Sequence, residues 1–444
     1  MTQSPQSPQS PRPPDDQVWR RALHARDPIP HTSPAEEVRW GLALPRTLVP
    51  APEGLDQRAV FDPALLQFPY AYRAGDPRFT SEDEARAWFL ARRTALDLVL
   101  AAVAGTPLGA RLVLRGSALM ATWFGAAARE PGDLDYVAPA DWEFEGTEAR
   151  ELFGQLAAAA QRTARDRPDG GVRIDADGAV TEDIWTYDRV PGRRLLLPWT
   201  APGTAGGTVQ IDVVFHELLA SPAVPTPLRP LGVGPGAVVD AVTPELSLAW
   251  KVMWLISDIH PQGKDLYDAV LLAERSAPSY EVLQAAFVLA GDELLRPGGR
   301  WWLTEIAECA DIGWEHFRSE YPQVTGEAAE YIDRLRAVLE PFAEQAEREA
   351  ASDPYERWAR WLAPLVEHVR ATAPDAPVPA VEARTTEAGR WGFLASVVVV
   401  REVVGREAMT VDQARAAVLE RTERWAHLRR RSDLWSRLLT ELGS

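Results

Sequence analysis

The sequence predicts an α+β fold, a sheet-containing core followed by an α-helical C-terminal domain. Two observations carry that prediction. Between residues 79 and 276, short β-branched and aliphatic runs alternate with helical segments and with Gly- and Pro-rich turns. From residue 277 onward, apolar residues recur at helical spacing, as around Trp358, Trp361 and Leu365 and again around Trp425, Leu428 and Trp435. With 444 residues the chain is long for one domain, and the reading divides it at 1–16, 17–78, 79–276 and 277–444.

Residues 1–16 repeat Gln-Ser-Pro and continue into Pro-Arg-Pro-Pro-Asp-Asp, a composition that cannot bury a core, so a disordered tail is expected. Residues 17–78 are interrupted by Pro28, Pro30, Pro45, Pro50, Pro52, Pro63 and Pro69 and read as an irregular arm. Ser81-Glu-Asp-Glu84 is a capping-box pattern that opens a helix to about Ala104. Next come a strand at Arg111–Arg115, a helix from Ala118 to about Ala127, a strand at Asp133–Val137 and a helix over 146–166. Ala179–Tyr187, Arg193–Pro198 and Thr208–His216 read as an antiparallel meander. Pro222–Pro235 reads as a link, followed by a helix at Pro244–Ser257 and another starting near Lys264.

Composition narrows the function classes. A formal charge of −17 argues against a general basic surface that coats nucleic acid, while leaving room for a local basic patch. A single Cys309 excludes an intramolecular disulfide and a thiolate zinc cage, and the seven His show no metal-ligand spacing. The N-terminus lacks a signal-peptide pattern, and the longest β-branched block, Val397–Val400, is far too short to span a membrane. A cytoplasmic protein with no membrane partner is expected. Among 47 Lys and Arg only Lys251 and Lys264 are lysines, which singles out those two positions.

The chemistry concentrates in residues 112–137. A strand ends in Gly116-Ser117 and a helix opens at once, so free backbone N–H groups and a missing Cβ suit close approach by phosphate oxygens. The returning strand carries Asp133 and Asp135, which strand periodicity places on one face, where they can grip a hard divalent ion. Asp212 lies inside the apolar strand Val209-Gln-Ile-Asp-Val-Val-Phe215, where a charge is costly unless it faces solvent or a metal. Three carboxylates can hold the ions that brace an in-line phosphoryl displacement. Arg115 and Arg129 flank this segment. Arg421, Arg424, Arg429, Arg430, Arg431 and Arg437 form the clearest basic run, read as a solvated helix face or a surface for an RNA backbone.

The segment resembles the Pol β-type nucleotidyltransferases, and within them the AbiEii/AbiGii toxin family. Gly116-Ser-Ala-Leu119 matches that family's Gly-Gly/Ser-x-Ala-Leu turn, and Arg129-Glu-Pro-Gly-Asp-Leu-Asp135 matches its Arg-x-Ser/Thr-x-Asp-x-Asp motif, with Pro131 where a hydroxyl residue is frequent. Ser247-Leu-Ala-Trp-Lys251 and Lys264-Asp-Leu-Tyr-Asp268 look like its helical Lys and Arg/Lys-Asp-x-x-Asp elements. The resemblance spans about residues 85–275 and implies a Pol β-like nucleotidyltransferase core, a mixed sheet flanked by helices. It implies that Asp133, Asp135 and Asp212 bind Mg²⁺ (or Mn²⁺), and that Gly116, Ser117, Arg129 and Lys264 contact the NTP. Lys251 would neutralise triphosphate charge. Asp265 would act near the nucleotide or acceptor, with Asp268 competing for that role; the i, i+3 spacing of these two acids also fits a plain helix start.

The expected activity is Mg-dependent transfer of a nucleoside monophosphate from an NTP to an acceptor hydroxyl on RNA (tRNA in some relatives) or protein. The chain would be the toxin of a type IV AbiE-like toxin–antitoxin or phage-defence pair, with a separate antitoxin as partner. Two other readings stand beside it: an antibiotic-type, small-molecule nucleotidyltransferase, and an inert nucleotide-binding regulatory module.

Overall fold

In the computed structural model, residues 14–24, 27–167, 171–187, 190–298, 300–309, 312–349, 351–385, 389–422, 424–425, 428 and 437–443 are described. The chain separates into two compact units. The first comprises Met1–Trp123, Glu130–His216 and Pro225–Ala241, and the second Phe124–Arg129, Glu217–Val224 and Val242–Ser444. The expected division at 276 and this partition differ, because Pro244–Ser257 and Gly263–Arg275 pack on each other and on later helices.

The first unit is built on an eight-stranded mixed sheet. Its strands are β3 (Val113–Arg115), β4 (Asp133–Val137), β5 (Arg173–Ile174), β6 (Val180–Tyr187), β7 (Val190–Ala201), β8 (Thr204–Val214), β9 (Val224–Leu228) and β10 (Ala237–Ala241), after a two-stranded hairpin of β1 (Ala59–Phe61) and β2 (Tyr72–Ala74). The order is β5-β7-β8-β4-β3-β10-β9, with β6 on β7. The meander β6–β7–β8 is antiparallel, as the turn spacing predicts, whereas β4 runs parallel to β8 and antiparallel to β3.

Three helices belong to this core: α3 (Glu82–Ala104), α4 (Ser117–Phe124) and α5 (Thr147–Arg165). The Ser81 hydroxyl accepts the Glu84 N–H at 3.4 Å, so the predicted N-terminus of α3 is capped where the sequence places it. The apolar residues of α3 meet α5 and the sheet, and the Trp88 indole donates to the Gly206 carbonyl at 3.1 Å. Asp97, on the same helix, accepts the backbone N–H groups of Leu231, Gly232 and Gly234 at 2.7, 2.9 and 3.1 Å and so pins the β9–β10 loop. Burial still pushes the Asp97 carboxyl up, against those three donors.

The arm is more regular than its prolines suggest. α1 (Pro14–His24) and α2 (Glu36–Leu42) supply Trp19, Leu23, Val38 and Leu42 to a small core with Ile29, Leu44, Leu48 and Ala51. The disordered tail expected over 1–16 is therefore corrected at 14–16, where α1 begins and Asp16 pairs with Arg20 one turn on; 1–13 lie outside the described residues. A second correction concerns Pro222–Pro235, which contains β9.

The second unit is helical: α6 (Pro244–Ser257), α7 (Gly263–Arg275), α8 (Tyr280–Ala290), α9 (Trp301–Glu308), α10 (Trp314–Glu320), α11 (Ala328–Glu349), α12 (Pro354–Trp361), α13 (Ala363–Thr372), α14 (Pro377–Glu382), α15 (Arg390–Val404) and α16 (Val411–Arg421). Thr243 caps α6 and Pro244 occupies its first turn, where a missing N–H costs nothing. Val397–Val400 on α15 are buried on all sides, which explains a run without amphipathic spacing. No described helix is long and apolar enough to cross a membrane.

Candidate active site

Strand register assembles the acidic set. Asp135 on β4 is the partner of Asp212 on β8, and Asp133 is the partner of Gln210. Across the next ladders Arg115 on β3 pairs with Asp135, and Arg194 on β7 pairs with Asp212. One transverse row of the sheet therefore reads Arg115, Asp135, Asp212, Arg194, with two cations outside two anions. Paired residues on adjacent strands project to the same face. Leu134 and Tyr136 take the opposite face and are fully buried, which fixes the direction of Asp133 and Asp135.

The Gly116 bend abuts this row. Gly116 sits at φ +83°, and a Cβ there would come within 2.4 Å of Asp135 Oδ2. The bend thus needs glycine twice, for its backbone and for the carboxylate against it. Replacing Gly116 by Ala is expected to cost about 1–3 kcal/mol of stability and to displace Asp135, read as a lower thermal midpoint together with a loss of catalytic rate. An unchanged midpoint would mean that the bend has room to relax. The Ser117 side chain is fully buried, and its hydroxyl donates to Asp133 Oδ1 at 3.4 Å, so it orients a carboxylate.

Asp212 is held more tightly than the sequence suggests. Arg194 grips it as a fork, Nε to Oδ1 and Nη2 to Oδ2 both at 2.8 Å, and Gln210 Nε2 donates to Oδ2 at 3.1 Å. The remaining Nη1 of Arg194 donates to Asp62 Oδ2 at 2.6 Å. Asp62 comes from the arm, where its other oxygen accepts the Ala64 N–H. Burial pushes the Asp212 carboxyl up; Arg194 opposes that, and Asp133 and Asp62 reinforce it. Neither Arg194 nor Asp62 was singled out by the sequence. The only available signal was an arginine in an apolar strand, Arg194 before Leu195-Leu196-Leu197, the same signal that marked Asp212.

The remaining candidates gather in the helical unit. Lys251 on α6 places its Nζ 2.7 Å from Asp265 Oδ1 and 3.6 Å from Asp268 Oδ2 on α7, and 4.7 Å above the Trp254 ring. Arg129 joins from the short segment Phe124–Arg129, Nε to Asp268 Oδ2 at 3.1 Å, and Tyr267 ties that segment down by donating to the Ala127 carbonyl at 2.8 Å. All four charged side chains are buried, and Asp268 completely so. Burial opposes the charge of Asp265, but Lys251, Lys264 and Arg129 outweigh it and hold its carboxyl below the ordinary range. Asp268 carries two cations and offers no surface to a ligand, whereas half-exposed Lys264 lies at the margin of the cluster.

Of the C-terminal arginines, Arg424 is engaged with the Glu382 carbonyl and the Thr385 hydroxyl at 2.7 and 2.8 Å, while Arg429, Arg430 and Arg431, like Trp435, lie outside the described residues. A cavity of about 640 Å³ in the helical unit is lined by Tyr280, Phe342, Trp358, Trp361 and Trp391 and contains none of the expected site residues.

A profile described as "Nucleotidyl transferase AbiEii toxin, Type IV TA system" matches residues 98–384, well over half of the chain. The chain belongs to the AbiEii toxin family. It is accordingly a nucleotidyltransferase, and its mixed-sheet core followed by helices is the α+β arrangement expected from the resemblance. Among solved structures it is similar to MenT4, a nucleotidyltransferase toxin from Mycobacterium tuberculosis H37Rv, at 17% identity over 68% of this chain and 94% of that one, with a TM-score of 0.40. No curated protein matches the sequence. The matched AbiEii region includes Gly116, both acids of β4, Asp212 and the α6–α7 cluster.

Proposed function

We propose that this AbiEii-family chain transfers a nucleoside monophosphate from an NTP to an acceptor hydroxyl on tRNA or protein, with Mg²⁺ or Mn²⁺, as a cytoplasmic toxin controlled by a separate antitoxin. The observation that carries this reading is the row of acids on one sheet face with the Gly116 bend packed against Asp135. Hard carboxylate oxygens on half-buried side chains suit a divalent ion, so Asp133 and Asp135 are its proposed holders. Bound there, the ion would supply Lewis-acid stabilisation of charge on the phosphates.

The protein's own groups do the rest. Gly116 lets the triphosphate approach the backbone N–H groups that open α4. Ser117 fixes Asp133. Within the helical unit, Lys251 and Lys264 are the proposed cations for the nucleotide, and Asp265, kept ionised by its neighbours, is the proposed acid for the nucleotide or the acceptor hydroxyl. Arg129 and Asp268 hold Lys251 in register.

The test incubates the chain with each radiolabelled NTP in turn, Mg²⁺ and total cell RNA, and separates RNA from protein afterwards. Label from a preferred NTP in tRNA or in protein is the expected result; bound NTP with no labelled acceptor would support the inert regulatory module and end this proposal. A small-molecule acceptor would instead show as label in neither macromolecule while NTP is consumed and pyrophosphate released.

A further inference from the structure

Resting on that reading for the roles of Asp133 and Asp135, we propose that Asp212 is a counter-ion committed to Arg194 rather than a third ligand, so that the chain without nucleotide takes one divalent ion. An ionised carboxylate offers about four lone-pair positions. At Oδ2 both are taken, by Arg194 Nη2 at 2.8 Å and by Gln210 Nε2 at 3.1 Å. At Oδ1 one is taken by Arg194 Nε at 2.8 Å. A single position is left, and the fork geometry of a bidentate pair is the hardest to open.

The arm strengthens the commitment. Arg194 is 2% exposed, and Asp62 engages its third nitrogen at 2.6 Å, so the guanidinium is fixed from two sides and cannot swing away to release Asp212. Arg194 is thereby a positioning residue: it withholds one carboxylate from the ion site.

The experiment titrates Mn²⁺ alone into the full chain and follows free ion by its paramagnetic resonance, with thermal unfolding as the control for folding. Wild type is expected to take one ion. Asp212→Asn should keep that ion with half-saturation within about threefold, whereas Asp135→Asn should weaken it at least about tenfold. Arg194→Gln frees Asp212 and should add a second ion or tighten the first by more than about threefold. Two ions in wild type, none at all, or equal losses in the Asp212→Asn and Asp135→Asn chains would overturn the proposal. Should Arg194→Gln fail to fold, the Asp212→Asn titration still decides it. A chain that takes one ion but transfers no nucleotide would end the proposed function and leave this inference standing; an active chain that takes two would do the reverse.

Discussion

Asp135→Asn should lower nucleotidyl transfer by at least about 10²–10³-fold, near 3–4 kcal/mol of transition-state stabilisation, while leaving the thermal midpoint unchanged or slightly raised. The two halves of that expectation have one cause. Asp135 is the ladder partner of Asp212 and shares its face with Asp133, so three carboxylates crowd two neighbouring strands. Such crowding costs folding energy and is kept where it serves a reaction. Removing one negative charge without changing shape relieves the repulsion and takes away a charged oxygen from the proposed ion site. A variant that lost its fold would report only on packing, so the measurement is transfer rate at saturating NTP beside a thermal melt. Retained activity would remove Asp135 from the chemistry, and with it the reason for the glycine bend.

Much of the candidate site's geometry was legible in the sequence because its parts are local. Asp133 and Asp135 need only strand periodicity, and the Gly116-Ser117 bend needs only a strand followed at once by a helix. Asp212 was legible as a charge in an apolar strand, and the sheet explains why it stands there: Arg194, two strands' width from Asp135, neutralises it. That pairing depends on the register of β7 against β8, fixed by a bulged hairpin, and its third member, Asp62, is supplied from 132 residues earlier in the chain. No periodicity encodes such a bond.

The strands missed by sequence have a plainer reason. Val224-Pro-Thr-Pro-Leu228 looks like a link because proline cannot donate to a ladder, yet β9 is the last strand of the sheet, where alternate N–H groups need no partner. Ser117 shows a further limit: the sequence marks its backbone at the helix start, but not that its hydroxyl turns inward toward Asp133.

The last expectation concerns the helical unit, where Asp268→Asn should destabilise the fold by about 3–5 kcal/mol, the cost of breaking a buried charge pair by removing one partner. Asp268 is 0% exposed and meets two cations, Arg129 at 3.1 Å and Lys251 at 3.6 Å. With Asp265 the four groups balance, two of each sign. Taking one anion away leaves the buried cluster with one carboxylate against two cations, and an amide cannot supply the missing charge. The paired replacement Arg129→Met with Asp268→Leu removes both charges and should recover part of the loss, because a buried ion pair exchanged for apolar bulk is often close to neutral. Urea unfolding of the two single variants and the double variant measures this directly. Below its own melting range the Asp268→Asn chain should also transfer more slowly, since Lys251 is then held by Asp265 alone. Equal stability of the Asp268→Asn and wild-type chains would mean that Lys251 and Arg129 are positioned by something other than this carboxylate, and the assignment of Asp268 as their anchor would fall.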